Sequence, residues 1–147
     1  MLQGIILAAG RGSRLGYLTE KKPKSFNKSG DKRYIDIIIN NFIKNNINKI
    51  NIVVGYKKHL FKNFPYKKII NKKWKSSNIF FSLNKANKVL QSNTCIISYA
   101  DIIYDQEAIS LLAKAKGDIV ILNNVNWKKI WKLRFKNPLD DLENFDY

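Results

Sequence analysis

Two glycines and three basic side chains near the amino terminus have the types and spacing that bind polyphosphates. Gly10 and Gly12 lack the Cβ atoms that would keep a ligand away from the backbone. The exposed N–H groups of such a loop form a concave site for anions. Arg11, Arg14 and Lys24 add full positive charge around that loop. This stretch therefore predicts a polyphosphate site.

The spacing of these residues distinguishes between the glycine-rich phosphate motifs. The dinucleotide fingerprint requires Gly or Ala at the position of Leu15, and the P-loop requires a longer spacing between its glycines. Neither motif is present. The sequence reads L-A-A-G-R-G-S-R-L over residues 7–15 and continues to Pro23 and Lys24. This combination resembles the nucleotidyltransferase superfamily, which includes sugar-phosphate nucleotidylyltransferases and MobA-like NTP transferases.

Two later stretches narrow the resemblance to the branch that contains phosphocholine cytidylyltransferases. Residues 71–83 are similar to an N-P-x-W…N-I-x-S-L signature of that branch, with Lys72 in place of its Pro. Residues 127–143 are similar to its W-x-x-x-W-x-x-R-F-x-x-P-L-x-D-A-E stretch, with Leu142 in place of Ala. The resemblance covers nearly the whole chain.

A carboxylate follows the apolar segment 94–99. Because ligands of open α/β folds bind at the carboxyl edge of the sheet, we expect Asp101 to face the glycine-rich loop. The resemblance implies that Asp101, which follows Ala100, holds Mg²⁺. Two alternatives stay open: Asp101 only caps a turn, or Asp105 takes this role. Asp105 also fits the N-cap of a following helix.

The resemblance implies roles for individual residues. Arg14 and Lys24 are the expected catalytic residues, Arg14 at the leaving phosphates and Lys24 at the α-phosphate. The residues expected to contact the nucleotide are Leu7, Ala8, Ala9, Gly10, Gly12, Ser13, Asn78 and Ser82. Asn78 fits equally well as the N-cap of a helix over residues 79–90 whose apolar side chains share one face, and one side chain can do both.

Apolar segments of strand length alternate with helical segments along the chain. The predicted strands are residues 3–8, 49–54, 67–71, 94–99 and 118–122. An amphipathic pattern that begins at Ile35 predicts a helix after the glycine-rich loop. This alternation predicts an α/β fold, a three-layer α/β/α sandwich with a mainly parallel sheet. The resemblance implies the Rossmann-like, glycosyltransferase A-like fold of nucleotidyltransferases.

Length and composition limit the class of protein. A chain of 147 residues, 45% of them hydrophobic, has room for one core, so we expect residues 1–147 to form a single nucleotidyltransferase domain. No apolar run reaches the length of a membrane span, and the amino terminus lacks the layout of a signal peptide. We therefore expect no membrane partner and a cytoplasmic location. The single cysteine, Cys95, lies in an apolar run and is expected to be a buried thiol.

The formal net charge of +16 makes nucleic acid a rival partner. Residues 37–100 contain no carboxylate. However, the basic residues are mainly Lys and are scattered through periodic segments, and Lys, Asn and Ile are abundant together, as in AT-rich coding sequences. We therefore expect no specific nucleic-acid partner, only weak, salt-sensitive binding to polyanions.

These features predict Mg²⁺-dependent transfer of a nucleotidyl group from an NTP to a small phosphomonoester such as phosphocholine, with release of pyrophosphate. The NTP that we expect first is CTP. The second pKa of a phosphate monoester is ~6, so the acceptor is ionised at neutral pH and needs no general base. A sugar-1-phosphate nucleotidylyltransferase is the alternative within this class. The alternative from another class is a nucleotide-binding or regulatory module without efficient turnover.

The resemblance also implies that relatives continue past the position of Tyr147 and supply a second acidic Mg²⁺ ligand there. Asp140, Asp141 and Asp146 lie in an irregular tail, and we do not predict that they bind metal. We expect this chain to lack a C-terminal portion of the domain and to turn over poorly alone. It would then be a fragment, or a protomer whose site is completed by a homo-oligomer or a second chain.

Overall fold

Four parallel strands form the main sheet of the computed structural model, which describes residues 1–133 and 135–137. The elements in chain order are β1 (Leu2–Ala8), β2 (Lys28–Ser29), β3 (Lys32–Arg33), α1 (Tyr34–Lys44), β4 (Ile50–Val54), β5 (Lys67–Ile70), α2 (Ile79–Asn84), α3 (Asn87–Leu90), β6 (Thr94–Tyr99), α4 (Gln106–Lys114) and α5 (Trp127–Lys132). Short 3₁₀ segments span Ser13–Thr19, Lys24–Phe26 and Lys58–Phe61. The chain divides into two compact units, Met1–Lys116 and Gly117–Tyr147, and the sheet lies in the first.

The strand order β5-β4-β1-β6 places β1 between two parallel neighbours. Leu7 of β1 is paired with Val53 of β4 on one side and with Tyr99 of β6 on the other. β1 is buried because its side chains are apolar on both faces, as is usual for parallel strands covered by helices. The chain adds strands first on one side of β1 and then on the other. The crevice at the carboxyl ends of β1 and β6 is therefore the expected ligand position of such a sheet.

Helices cover both faces of this sheet. On one face, Phe42 of α1 packs against Gly4 of β1, where a Cβ atom would lie 2.8 Å from the ring, and Ile109 of α4 joins the same cluster. On the other face, Ala86 and Val89 pack with residues of β1 and β4. Each buried aliphatic side chain contributes about 1.5–3 kcal/mol relative to its exposed state. The predicted three-layer α/β/α sandwich with a mainly parallel sheet is confirmed.

Most predicted elements of the first unit agree with the structure. The predicted strands 3–8, 49–54, 67–71 and 94–99 correspond to β1, β4, β5 and β6. The helix predicted from Ile35 is α1, and Ile35, Ile38, Ile39 and Phe42 of its apolar stripe are buried, whereas Ile43 is exposed. Asp105 occupies the N-cap position of α4, although its side chain makes no capping hydrogen bond. Cys95, expected to be buried, is only half-buried, and this burial raises the pKa of its thiol.

The prediction of one helix over residues 79–90 is wrong. The structure has two short helices there, α2 and α3, because Ala86 leaves the helical conformation with φ −92° and ψ 12°. This turn shifts which residues face the sheet. Ser82, Ala86 and Val89 are buried, whereas Ile79 is 44% exposed. A regular helical period could not predict which residues are buried, because the helix is interrupted between α2 and α3.

The prediction of a strand over residues 118–122 is also wrong. No described residue pairs with this segment as a strand, and Ile119 is 87% exposed. A short apolar run gives the same sequence signal as a buried strand, but a strand also needs a neighbour that accepts and donates its backbone hydrogen bonds. The described part of the second unit instead contains α5, and the ring of Trp131 in α5 lies 6.4 Å from the ring of Phe135, which follows the helix.

Some predictions fall on residues that the structure does not describe. Asp140, Asp141 and Asp146 lie outside the described residues, as does the end of the similar tail stretch, residues 138–143. The single domain over residues 1–147 stays a prediction. Within residues 1–133 and 135–137, no helix is long and apolar enough to cross a membrane.

Candidate active site

The glycine-rich loop leaves β1 at its buried end and passes directly into solvent. Gly10 is exposed, and a Cβ atom there would meet no atom within 4 Å. Gly12 has a φ of +75°, and its Cβ would lie 2.8 Å from Cβ of Lys24. Gly12 is therefore required by both its backbone conformation and its contact with Lys24. The space over Gly10 is open for a ligand to approach the backbone.

Lys24 is held next to this loop by its own backbone. Its N–H donates to the carbonyl of Arg11 at 3.3 Å, and its aliphatic stem lies against Gly12. The buried Pro23 precedes it, and a 3₁₀ turn follows at Lys24–Phe26. The position of the Lys24 backbone is thus fixed, and its ammonium extends towards the carboxyl end of β6.

Asp101 stands where the pairing of β1 with β6 ends. The N–H of Ala100 donates to the carbonyl of Leu7 at 3.2 Å, which carries the ladder to the edge of the sheet. Asp101 is the next residue, and its Oδ2 lies 2.7 Å from Nζ of Lys24. The two side chains are 34% and 38% exposed, respectively, so solvent partly screens the pair. Asp101 thus contacts Lys24, whose stem lies against Gly12 of the glycine-rich loop, and its binding of metal stays a prediction.

The other predicted site residues differ in their surroundings. Ser13 and Arg14 are exposed on the 3₁₀ segment that follows the loop. The residues predicted to contact nucleotide from β1 and its end, Leu7, Ala8 and Ala9, are each at most 7% exposed. The backbone and the side chain of all three residues are therefore largely buried. Their contact with a nucleotide stays a prediction.

A buried polar network surrounds the other two predicted nucleotide contacts. Asn71 is fully buried, and its Nδ2 donates to Oγ of both Ser77 and Ser82 at 2.9 Å. Asn78 is exposed and caps α2, because its Oδ1 accepts the N–H of Phe81 at 2.9 Å. Capping by Asn78 is thus confirmed, while its contact with a nucleotide is untested. Ser82 is 5% exposed and belongs to the network that ties α2 to the end of β5.

Tyr56 is a functional candidate that the sequence did not identify. Its N–H donates to the carbonyl of Ala9 at 2.9 Å, where the glycine-rich loop begins. Its hydroxyl lies 2.9 Å from the carbonyl oxygen of Thr19 and 2.5 Å from that of Glu20, where the loop's 3₁₀ segment ends. One residue thus holds both ends of the loop. The sequence signal was the Gly55-Tyr56 pair after β4, at the same edge of the sheet.

Thr19 holds the loop from inside. It is fully buried, and its Oγ1 lies 3.1 Å from the carbonyl oxygen of Gly12 and 3.2 Å from that of Gly16. The hydroxyl has one proton, so it donates to one of these two carbonyls at a time. Gly12 also accepts the N–H of Leu15 at 3.0 Å. Hydrogen bonds among the loop's own residues thus act together with those of Tyr56 on the shape of the loop.

Trp74 fixes the ring of Tyr56. The two ring centroids lie 5.0 Å apart, and the Arg11 guanidinium lies 5.9 Å from the centroid of Tyr56. A Cβ atom on Gly55 would come within 2.4 Å of Cβ of Trp74 and 2.7 Å of the carbonyl oxygen of Ala9. Only glycine fits between them. The close packing of Trp74 on β4 therefore places Tyr56 under the glycine-rich loop.

The metal-binding capacity of the site comes from one carboxylate. Among the described residues, no group of three or more His, Cys, Asp or Glu side chains could hold a metal ion. Asp101 alone cannot form a complete metal cage. It does fit Mg²⁺ shared with phosphates, because Mg²⁺ commonly takes one or two carboxylates together with phosphate oxygens and waters. The donor set therefore suits an ion that a polyphosphate helps to hold.

A depression of about 430 Å³ lies elsewhere, at the amino-terminal edge of the sheet. It is lined by residues such as Gln3, Asn51 and Lys67, which stand at the opposite ends of the strands from the glycine-rich loop. Size does not single this depression out, because a second one of about 400 Å³ is lined by residues such as Tyr17 and Lys21, at the 3₁₀ segment after the glycine-rich loop. The convergence of the glycine backbone, a cation and a carboxylate selects the carboxyl edge instead, where open α/β sheets bind their ligands.

Comparisons with known proteins point to one family. Residues 4–132 match the MobA-like NTP transferase domain. The chain is 36% identical over 152 aligned residues to the CTP:phosphoglutamine cytidylyltransferase of Campylobacter jejuni, an alignment that covers 97% of this chain and 60% of that protein. It is 30% identical to the 2-aminoethylphosphonate cytidylyltransferase of Lancefieldella rimae, over 71% of this chain and 45% of that one.

A solved structure agrees with these relatives. The CTP:phosphocholine cytidylyltransferase of Streptococcus pneumoniae superposes with a TM-score of 0.63 at 34% identity, over 68% of this chain and 45% of that one. The chain thus spans between about half and 60% of the length of the relatives it matches.

Proposed function

Since this chain belongs to the MobA-like NTP transferase domain family, we propose that it transfers a cytidylyl group from CTP to a small phosphorylated acceptor and releases pyrophosphate. The observation that carries this proposal is the approach of Lys24 to Asp101, at 2.7 Å, beside the glycine-rich loop. The pair supplies a cation for phosphate and a carboxylate for metal where the strand order reverses.

The chain's own groups suit the charge changes of such a reaction. Nucleotidyl transfer requires positioning and charge stabilisation rather than a covalent intermediate. The exposed backbone from Gly10 to Ser13, together with Arg14, would hold the phosphates that leave as pyrophosphate. Lys24 would meet the α-phosphate under attack. The acceptor phosphate is ionised at neutral pH because its second pKa is ~6, so no protein base is required.

Asp101 would hold Mg²⁺ together with the triphosphate. The ion would supply charge neutralisation at the phosphate oxygens. The role of Asp101 is to place that ion at the carboxyl end of β6, next to the loop that follows β1. The fit of a single carboxylate to a shared Mg²⁺ supports this part of the proposal.

The choice of CTP and of a small acceptor rests on the relatives. The relatives reported above are a phosphoglutamine, an aminoethylphosphonate and a phosphocholine cytidylyltransferase. Their acceptors differ in the organic group and share a phosphate or phosphonate. We therefore propose a phosphorylated or phosphonylated small amine, amide or alcohol as the acceptor of this chain, with a sugar 1-phosphate as the alternative.

The test is a panel of substrates read out as pyrophosphate release. The chain is incubated with Mg²⁺, with CTP, UTP, GTP or ATP, and with phosphocholine, phosphoglutamine, 2-aminoethylphosphonate or glucose 1-phosphate. We expect slow release with CTP and one of the first three acceptors, because this chain is expected to turn over poorly alone. Lys24→Met should abolish it, whereas Lys21→Met, which removes the same charge from an exposed position nearby, should not.

Calorimetric titration with CTP on the same sample separates the alternatives. Release with glucose 1-phosphate alone would favour the sugar-phosphate alternative. Binding of CTP without release in any combination would favour a nucleotide-binding module. Absence of both binding and release would contradict the assignment of the glycine-rich loop itself.

A further inference from the structure

The Lys24–Asp101 ion pair joins the two groups to which the proposed function assigns different ligands. Nζ of Lys24 lies 2.7 Å from Oδ2 of Asp101, a distance typical of a charge-assisted hydrogen bond. Lys24 is proposed to meet phosphate, and Asp101 to meet a divalent cation. Each of these ligands requires a charge that the other residue currently neutralises.

The backbone on each side places this pair. Gly12 lies against the aliphatic stem of Lys24, and the backbone N–H of Lys24 donates a hydrogen bond to the carbonyl of Arg11. Asp101 directly follows the last pairing of β6 with β1. The pair therefore bridges the two loops at the strand-order reversal.

We propose that Lys24 is a counter-ion that weakens the binding of a divalent cation to Asp101 until a polyphosphate engages its ammonium. Metal and polyphosphate binding are then coupled through this one pair. This inference rests on the proposed function for the identity of the two ligands. It assigns Lys24 a role before the chemical step, in addition to its role at the α-phosphate.

The direction of the coupling follows from the charges. Mg²⁺ binds oxygen ligands at about 2.0–2.1 Å, so an ion on the Asp101 carboxylate would lie close to the ammonium of Lys24 and be repelled by it. A polyphosphate reverses this repulsion because it attracts both cations. Coupling between two sites is reciprocal, and typical values correspond to about 5–150-fold in affinity. The partial exposure of this pair places the expected effect at the lower end, about fivefold.

The test measures each ligand alone, without turnover. Mn²⁺ replaces Mg²⁺ because the electron paramagnetic resonance signal of the free ion can be titrated. We expect Lys24→Met, which keeps the aliphatic stem over Gly12, to bind Mn²⁺ about fivefold more tightly than the wild type. Lys24→Arg retains the charge and should keep the weak binding. In the reciprocal arm, Asp101→Asn should bind inorganic pyrophosphate more tightly than the wild type in the presence of EDTA.

Two controls separate this pair from the general positive charge of the chain. Lys21→Met removes the same charge and should leave Mn²⁺ affinity unchanged. In the Asp101→Asn background, Lys24→Met should not increase Mn²⁺ affinity, because the carboxylate that Lys24 neutralises in the wild type is absent. Thermal unfolding by circular dichroism confirms that each variant is folded before the titration.

Unchanged or weaker Mn²⁺ binding by folded Lys24→Met would overturn the inference. Equal tightening in Lys21→Met would overturn it as well, since the effect would then be one of net charge. These outcomes are independent of the proposed reaction. A chain that shows no turnover but binds Mn²⁺ more tightly as Lys24→Met would contradict the proposed function alone, and active wild type with an unresponsive Lys24→Met would contradict this inference alone.

Discussion

Tyr56→Phe tests whether the glycine-rich loop is held in shape by a residue that does not itself lie in it. The substitution removes the phenolic hydroxyl, which lies within hydrogen-bonding distance of the carbonyl oxygens of Thr19 and Glu20. It leaves the ring packed on Trp74 and leaves the backbone bond to Ala9. The change is therefore confined to one end of the loop.

The expected magnitude follows from the number of bonds lost. The hydroxyl has one proton, so one hydrogen bond is lost although two carbonyls are within reach, and its net value is about 0.5–1.5 kcal/mol. Water can replace the hydroxyl at Glu20, which is exposed, so we take about 1 kcal/mol. This corresponds to a fall in melting temperature of roughly 2–4 °C for a chain of this size. If the loop must be ordered again when it binds phosphates, nucleotide affinity falls by about fivefold.

The assay is calorimetric titration with CTP, combined with thermal unfolding by circular dichroism. Tyr66→Phe is the matched control, because Tyr66 lines the depression at the opposite edge of the sheet. It should alter neither CTP affinity nor the effect of Tyr56→Phe. Unchanged CTP affinity in Tyr56→Phe, with the expected fall in melting temperature, would show that Tyr56 supports the fold and not the loop. A loss of more than a hundredfold would show that the hydroxyl touches the nucleotide directly.

Three further predictions concern the chemistry, the packing and the pH dependence. Lys24→Ala should lower single-turnover cytidylyl transfer by about a hundredfold while changing the Kd for CTP by less than about tenfold, because its charge acts mainly as charge develops; equal losses in both would refute this. Gly55→Ala should destabilise the chain by about 1–3 kcal/mol in urea unfolding, since its Cβ would lie 2.4 Å from Cβ of Trp74, and an unchanged midpoint would contradict that packing. Burial raises the pKa of Tyr104 above its ordinary value, so the folded state favours the neutral phenol and this contribution to stability, complete below about pH 10, is lost as the pH rises further. Tyr104→Phe should remove that loss in alkaline unfolding curves, and an identical pH profile would exclude it.

The sequence predicted the sheet because its signals are local. Each of β1, β4 and β6 is a short apolar run separated from the next by segments long enough for a helix, which is the pattern of parallel strands. The same rule failed at residues 118–122, where the run has no neighbouring strand among the described residues. A helical period was likewise misleading at Ser82, which is buried by its hydrogen bond to Asn71 rather than by apolar character. Local patterns predict the type of an element but not its partner.

The sequence predicted which residues form the candidate site more fully than it predicted the contacts between them. Gly12 and Lys24 were recognisable from the motif that contains them, and Asp101 from its position after an apolar segment of strand length. The ion pair between Lys24 and Asp101 depends on β6 being the neighbour of β1, which no single-sequence pattern fixes. The bonds of Tyr56 to Thr19 depend on the same strand order, across 37 positions of sequence. Polar contacts between distant segments thus became visible only in the folded chain.

The charge distribution bears on how a metal ion would reach Asp101 under the proposed function. Residues 37–100 contain no acid, so Asp101 ends a long basic stretch of a chain whose formal net charge is +16. Such a field attracts polyanions and repels free divalent cations. A cation that arrives bound to a triphosphate carries a net negative charge with it and avoids that repulsion. Under the proposed function, the charges that would weaken metal binding to Asp101 would therefore favour delivery of the metal with the nucleotide, and raising the salt concentration should weaken nucleotide binding by screening this attraction.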